Sequence, residues 1–289
     1  MVKKISDLFV DARKALLAVE APERATMVTR NLLSHVTGKP QSQILAEREM
    51  YVGDDVCAAM DAAVARLLEG EPLAYILGEW DFYGMTLYVD KNVLIPRDDT
   101  VAVTELAIKK ALFLDQSPRI LDLCTGSGCI GLAIASRVRD AKITLADISK
   151  EALAVAKKNI TAQHQTGRVM CVQANALEKP AAFLGKFDMI ISNPPYIDTK
   201  DMGELDASVK DFEPHLALHG GEDGLDFYRA IAENYKAALK PGGYLCFEFG
   251  DGQGNDVCAI LENNGYTILE RTNDYNGVER AVLAQWKED

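Results

Sequence analysis

Apolar residues in the first seventy positions recur at helical spacing. Ile5, Leu8, Ala12, Ala15, Leu16 and Val19 form one stripe, and Pro22 opens a second segment carrying Met27, Leu32, Leu33 and Val36. Gly38-Lys39-Pro40 closes it, and a third amphipathic run, residues 56–68, stops before Gly70 and Pro72. Between residues 80 and 95 the period drops to two. Met85, Leu87 and Val89 alternate with Thr86, Tyr88 and Asp90, which predicts one strand of a hairpin. From Asp98 onward, strands and helices alternate. Strands are expected at 119–124, 143–146 (closed by Asp147), 168–172, 187–192, 244–249, 266–271 and 279–285, with helices at 130–137 and 150–159. Such alternation predicts an α/β domain, a mostly parallel sheet covered by helices on both faces. The last two strands are joined through Asn276-Gly277, too short a link for a helical crossover, and are expected to be antiparallel.

Composition narrows the function classes. Of 289 residues 48% are hydrophobic, enough for a sizeable core. Asp plus Glu outnumber Lys plus Arg by 43 to 31, a net charge of −12. Proteins that grip nucleic acid carry basic surface to displace counterions, so no direct nucleic-acid substrate is expected. The six cysteines form no C-x-x-C pair, and neither a disulfide framework nor a metal site is expected. Charged residues interrupt the first twenty positions, and no apolar run reaches the roughly 18 residues of a membrane span. A soluble, cytoplasmic protein without membrane association is the expectation.

Two loops carry the candidate chemistry. The first is Asp122-Leu123-Cys124-Thr125-Gly126-Ser127-Gly128, set between a strand and a helix. Gly126 and Gly128 permit a tight turn and close backbone approach, and the helix start presents unpaired N–H groups to an anionic end. About 20 residues further on, Asp147 ends the next strand, where a carboxylate can accept both ribose hydroxyls. Gly126-x-Gly128-x-x-Gly131 also matches the dinucleotide fingerprint, so an NAD-dependent dehydrogenase stays open, as does an ordinary strand–helix turn. Asp122, inside the strand, suits the ammonium of a methionine moiety better than a pyrophosphate.

The second loop, Asn193-Pro194-Pro195-Tyr196, directly follows the strand at 187–192 and should face the ligand crevice. Consecutive prolines stiffen the loop and donate no N–H. Asn193 adds a side-chain carbonyl, and Tyr196 a flat ring for stacking. The Asn193 side chain and the Pro194 carbonyl can each take one N–H of a planar –C–NH2 group and aim its nitrogen at a methyl donor. Adenine-N6 methylation of DNA or RNA satisfies the same tetrapeptide. A dehydrogenase would lack the His or Tyr-x-x-x-Lys proton donor, and a non-catalytic cofactor scaffold would leave Asn193 and Tyr196 without purpose.

Flanking blocks sharpen the choice. Pro72-Leu73-Ala74-Tyr75-Ile76-Leu77-Gly78, Phe82-Tyr83-Gly84, Leu94-Ile95-Pro96-Arg97, Glu213-Pro214, Gly220-Gly221-Glu222-Asp223-Gly224-Leu225, Pro241-Gly242-Gly243 and Glu248-Phe249-Gly250 surround the two loops. In this order, over nearly the whole chain, they resemble the release-factor glutamine methyltransferases. The resemblance implies a helical substrate-recognition domain (1–79), a β-hairpin linker (80–97) and a class I S-adenosylmethionine-dependent methyltransferase domain (98–289), Rossmann-like with seven strands. It implies S-adenosylmethionine as cofactor and S-adenosylhomocysteine as product. The implied substrate is the glutamine of the Gly-Gly-Gln motif in class I peptide chain release factors, and the implied state is a monomer. By position, Asp122, Cys124, Thr125, Gly126, Ser127, Gly128, Asp147, Asn175, Ala176 and Asn193 would bind the cofactor. Asn193, Pro194 and Tyr196 would be catalytic, holding the glutamine amide together with Pro195.

Three positions depart from the family pattern. Cys124 replaces a glycine, tolerable if its side chain points into the core, and Asp98-Asp99-Thr100 replaces Pro-Glu-Thr. Asn175-Ala176 replaces an Asp followed by a bulky aromatic; Asn175 can still accept from an adenine amino group, but Ala176 offers no stacking surface, which predicts weakened cofactor affinity. Whether Arg97 reaches the cofactor is left open. His215 and His219, near Pro214 and Gly220, read as loop residues rather than metal ligands, and His35 and His164 need no role. The acidic cluster Glu204, Asp206, Asp211 and Glu213 reads as a solvated, mobile segment that could cover the substrate loop.

Overall fold

The first unit, Met1–Gly78 with Ala207–Phe212, is built by the expected helical stripes. The computed structural model describes residues 2–114 and 117–287. A short strand β1 (Lys3–Lys4) leads into α1 (Ile5–Leu16), followed by α2 (Pro22–Thr37), α3 (Gln41–Ala46), β2 (Tyr51–Val52), α4 (Asp54–Leu68) and α5 (Leu73–Leu77). Ile5, Leu8, Leu16, Val28, Leu32, Leu33 and Met60 close a core from three helices. Pro22 occupies the first turn of α2, where its missing N–H costs nothing, and left-handed Gly38 ends the helix. Helices α3 and α5 and the antiparallel β1–β2 pair were not foreseen. They span two to six residues, too few to show a period.

The second unit, Glu79–Asp206 with Glu213–Asp289, opens with a hairpin of β3 (Glu79–Phe82) and β4 (Met85–Tyr88). Its two-residue turn places Tyr83 and Gly84 at φ 51 and 77, the left-handed pair that matches strand twist. Then come α6 (Thr100–Ala111), β5 (Arg119–Leu123), α7 (Cys129–Arg137), β6 (Lys142–Asp147), α8 (Lys150–Ala162), β7 (Val169–Gln173) and β8 (Phe187–Ser192). A helix α9 (Ala207–Lys210), counted with the first unit, precedes α10 (Asp226–Asn234), β9 (Leu239–Glu248), α11 (Gly254–Asn263), β10 (Tyr266–Asn273) and β11 (Glu279–Trp286). The sheet order is β10-β11-β9-β8-β5-β6-β7. Strands β5 to β9 run parallel, while β11 is antiparallel to both of its neighbours, as the short Asn276-Gly277 link requires.

Both faces of this sheet are buried. Along β5, Ile120 joins a core with α6, α7 and α8, whereas Leu121 and Leu123 join a second core with α10 and α11. Burial on both sides explains why the central strands read as apolar runs rather than alternations. Helices α6, α10 and α11 were not located individually in the sequence. Several strand limits differ from those expected. β5 ends at Leu123 because Cys124 turns to φ 60, and β9 starts at Leu239 although Pro241-Gly242-Gly243 reads as a turn. Among the described residues no helix is long and apolar enough to cross a membrane.

Candidate active site

A cavity opens at the carboxyl ends of β5, β6 and β8, the position at which parallel α/β sheets bind ligands. Its wall includes Cys124 to Ser127 from the glycine loop, Asp147 from β6, Asn175 to Leu177 after β7, and Asn193 with Pro195 after β8. Leu94, Pro96, Leu216 and Phe227 complete it.

The glycine loop is held from below. Asp122 is fully buried and is not part of the wall. Its Oδ2 accepts from the Thr125 hydroxyl at 2.7 Å and the Gly131 N–H at 2.9 Å, so it braces the loop against α7. Asp122 thus supports the loop, while its Oδ1 is buried without a hydrogen-bond partner. Burial raises the Asp122 pKa to about 7 against those two donors. Gly128 and Gly131 also lie behind the wall. A Cβ on Gly131 would sit 2.3 Å from Leu145 Cδ2, and one on Gly128 2.9 Å from Leu145 Cδ1, so both glycines let α7 close onto β6. Cys124 holds φ 60, a conformation that favours glycine, and its side chain is half-buried on the wall rather than lost in the core. Burial raises its thiol pKa well above the ordinary value, keeping it protonated.

Asp147 is placed as the spacing predicted. Its Oδ2 accepts from the Gly126 N–H at 2.9 Å and Oδ1 from the Ser149 N–H at 3.0 Å, fixing the carboxylate at the rim of the loop. Burial raises its pKa, with those N–H groups opposing. Asn175 turns its side chain along its own loop: Oδ1 accepts from the Leu177 N–H at 3.0 Å and Nδ2 donates to Glu178 at 2.9 Å. Ala176 is buried beside it.

The tetrapeptide is encased by glycines. A Cβ on Gly220 would lie 2.7 Å from the Pro195 carbonyl oxygen, and one on Gly224 2.3 Å from that of Tyr196. Gly250 lies under the Tyr196 ring, 3.1 Å from where its Cβ would be, and Gln253 Nε2 donates to the Tyr196 carbonyl at 3.0 Å. Asn193 and Pro195 face the cavity; Pro194 is buried, and the Tyr196 ring packs on Gly250.

Comparisons with known proteins give the family. Residues 103–212 match the methyltransferase small domain and residues 7–78 the PrmC N-terminal domain. A release factor glutamine methyltransferase of Clostridium acetobutylicum is 39% identical over 253 residues, 88% of each chain. One of Geobacter sulfurreducens is 36% identical over 275 residues, 94% of each chain. The chain belongs to the release factor glutamine methyltransferase family. A solved methyltransferase of Pyrococcus furiosus shares the fold, with TM-score 0.51 and 18% identity over 78% of this chain and 98% of that one.

In this family member several working residues escaped the sequence reading. Glu213, assigned to a solvated acidic segment, is buried: it takes the Arg97 guanidinium and the Ile95 N–H, the latter at 3.2 Å. Arg97 is thus committed to Glu213 and is not on the cavity wall. His219 Nε2 pairs with the Thr199 hydroxyl at 3.0 Å, and among the described residues no group of three metal-binding side chains occurs. Thr100, Pro96 and Phe227 line the cavity, and Glu248 lies buried behind Asn193. The blocks quoted from the sequence include several of these positions but assign them no role, because that role depends on packing between distant segments.

Proposed function

We propose that this enzyme transfers a methyl group from S-adenosylmethionine to the side-chain nitrogen of the glutamine in the Gly-Gly-Gln motif of class I peptide chain release factors. The observation that carries the proposal is Asn193, on the wall of a cavity it shares with the glycine loop and Asp147. The donor set fits the cofactor. Ser127 Oγ on the wall and Asp122 Oδ1 beneath it are buried without protein partners, suiting a methionine ammonium and carboxylate. Asp147 offers carboxylate lone pairs to ribose hydroxyls, and Asn175 to Leu177 with Ile148 line the part of the cavity next to it. When bound, the cofactor supplies an electrophilic sulfonium methyl.

The rest falls to the protein. A carboxamide nitrogen is a poor nucleophile because its lone pair is delocalised. The Asn193 side-chain carbonyl and the Pro194 backbone carbonyl accept its two hydrogens and hold it in line for displacement, and Tyr196 flanks the planar group. The new C–N bond forms as the C–S bond breaks, and the extra proton leaves to solvent afterwards, so no strong base is required. The helical unit serves substrate recognition, and the enzyme acts as a cytoplasmic monomer without contacting nucleic acid directly.

Incubation with radiolabelled S-adenosylmethionine and release factor, duplex DNA or ribosomal RNA tests this. Label should enter the release factor at the Gly-Gly-Gln glutamine, and Asn193→Ala should cut transfer by about 100-fold while largely sparing cofactor affinity. Label in nucleic acid alone would establish adenine methylation instead.

A further inference from the structure

Which end of the Asn193 amide meets the substrate matters, because its two ends have opposite hydrogen-bonding character. The oxygen accepts from a substrate N–H, whereas the nitrogen donates and would repel it. Residues behind Asn193 decide the orientation. Asn193 Nδ2 donates to the Thr100 hydroxyl at 3.3 Å. The carboxyl of Glu248 lies within hydrogen-bonding reach of both the Thr100 hydroxyl and the Asn193 side chain. Thr100 is the first residue of α6, and Glu248 the last of β9. Both are almost wholly buried, at 2% and 1% exposure, and Glu248 Oε2 is buried without a hydrogen-bond partner.

We infer that Glu248, with Thr100 as relay, is a positioning residue that holds the Asn193 nitrogen inward and thereby presents its carbonyl oxygen to the substrate amide. The inference rests on the proposed function. It uses an acceptor that no motif assigns, in a place where a carboxyl is costly: burial raises the Glu248 pKa to about 8, so at neutral pH the group is largely a neutral acid. A neutral acid still accepts through its carbonyl oxygen. Acceptor capacity, rather than charge, is therefore the requirement. Gln offers the same capacity and Leu does not.

The test compares Glu248→Gln, Glu248→Leu and Thr100→Val with the parent and with Asn193→Ala, all as the full chain. Each is measured for kcat and KM on release factor and for S-adenosylmethionine affinity by calorimetry. Glu248→Leu should lower kcat by about 10-fold or more, with KM and cofactor affinity within about threefold, because only the aim of Asn193 is lost. Glu248→Gln should restore most of kcat. Thr100→Val, a shape-conserving change, should lower kcat in the same manner and serves if Glu248→Leu does not fold. In the Asn193→Ala background, Glu248→Leu should add nothing further. Parental kcat in Glu248→Leu, or in Thr100→Val where Glu248→Leu does not fold, overturns the inference while leaving the proposed function intact, provided Asn193→Ala is inactive. Equal loss in Glu248→Gln and Glu248→Leu overturns it in favour of charge. An active Asn193→Ala overturns both.

Discussion

Replacing Cys124 by glycine and, separately, by alanine measures what the glycine loop gives up by carrying a thiol. Cys124 sits at φ 60, where a residue with a Cβ bears about 1–2 kcal/mol of steric strain relative to glycine. Glycine removes that strain but gives the unfolded chain more freedom, at a cost of about 0.4–1 kcal/mol. Alanine keeps the Cβ and the strain, and both variants lose the half-buried sulfur. The two losses cancel in the comparison, leaving Cys124→Gly more stable than Cys124→Ala by about 1 kcal/mol. At an ordinary site the order is reversed by a similar amount. Urea unfolding followed by tryptophan emission suits the measurement, since Trp80 and Trp286 both belong to the unit that contains Cys124. A midpoint for Cys124→Ala equal to or above that of Cys124→Gly would refute the strain argument.

Three further outcomes follow from the site. Ala176→Trp should tighten S-adenosylmethionine binding, because residue 176 is on the cavity wall and alanine gives an adenine ring no face to stack on; calorimetry showing unchanged or weaker binding counts against it. Gly224→Ala should lower kcat by about 10-fold or more with cofactor affinity largely kept, since its Cβ would lie 2.3 Å from the Tyr196 carbonyl oxygen at φ 74; a parental rate would show that the tetrapeptide need not be held so tightly. Glu248 should also make stability depend on pH. Its folded pKa, about 8, is above the ordinary carboxyl value of 4.5, so its contribution is complete below about 4.5 and is lost as pH rises through 8. Against the parent, Glu248→Gln should gain stability between pH 5 and pH 8.5, by an amount on the order of a few kcal/mol. A gap between the two that is constant across that range contradicts the assignment.

Much of this was legible in the chain, and the illegible part has a common cause. The strand at 187–192 and the tetrapeptide after it could be read directly, because a buried parallel strand is an apolar run and Pro-Pro ends it unmistakably. Asp147 was placed by spacing alone. Asp122 lies on the same face as Ile120, towards α7, as strand alternation sets it, but its hydrogen bonds to Thr125 and Gly131 needed coordinates. At Cys124 only the positive φ, invisible without coordinates, shows the strain. Glu213 and Glu248 were visible as members of flanking blocks, but their contacts were not legible. Each finds its partners more than ninety positions away, Arg97 and Ile95 for the first and Thr100 for the second, and local pattern carries no trace of such contacts.

The two buried acids show how the site is supported. Asp122 and Glu248 follow Ile120 and Cys246 by two residues on β5 and β9, so both point into the layer formed by α6 and α7. Each lies at or next to the carboxyl end of a strand that borders β8, one bracing the glycine loop and the other standing behind Asn193. Each keeps one oxygen without a protein partner, and burial raises both pKa values. For stability alone, an apolar side chain at either position would serve better. Violations of that kind, paired across one strand and both aimed at the two loops that flank the cavity, are what a fold tolerates where function needs rigid aim. The methyl acceptor is a weak nucleophile, so the enzyme gains little from a base and much from stiffness. Placing these two carboxyls behind the loops supplies that stiffness without putting either of them beside the methyl donor.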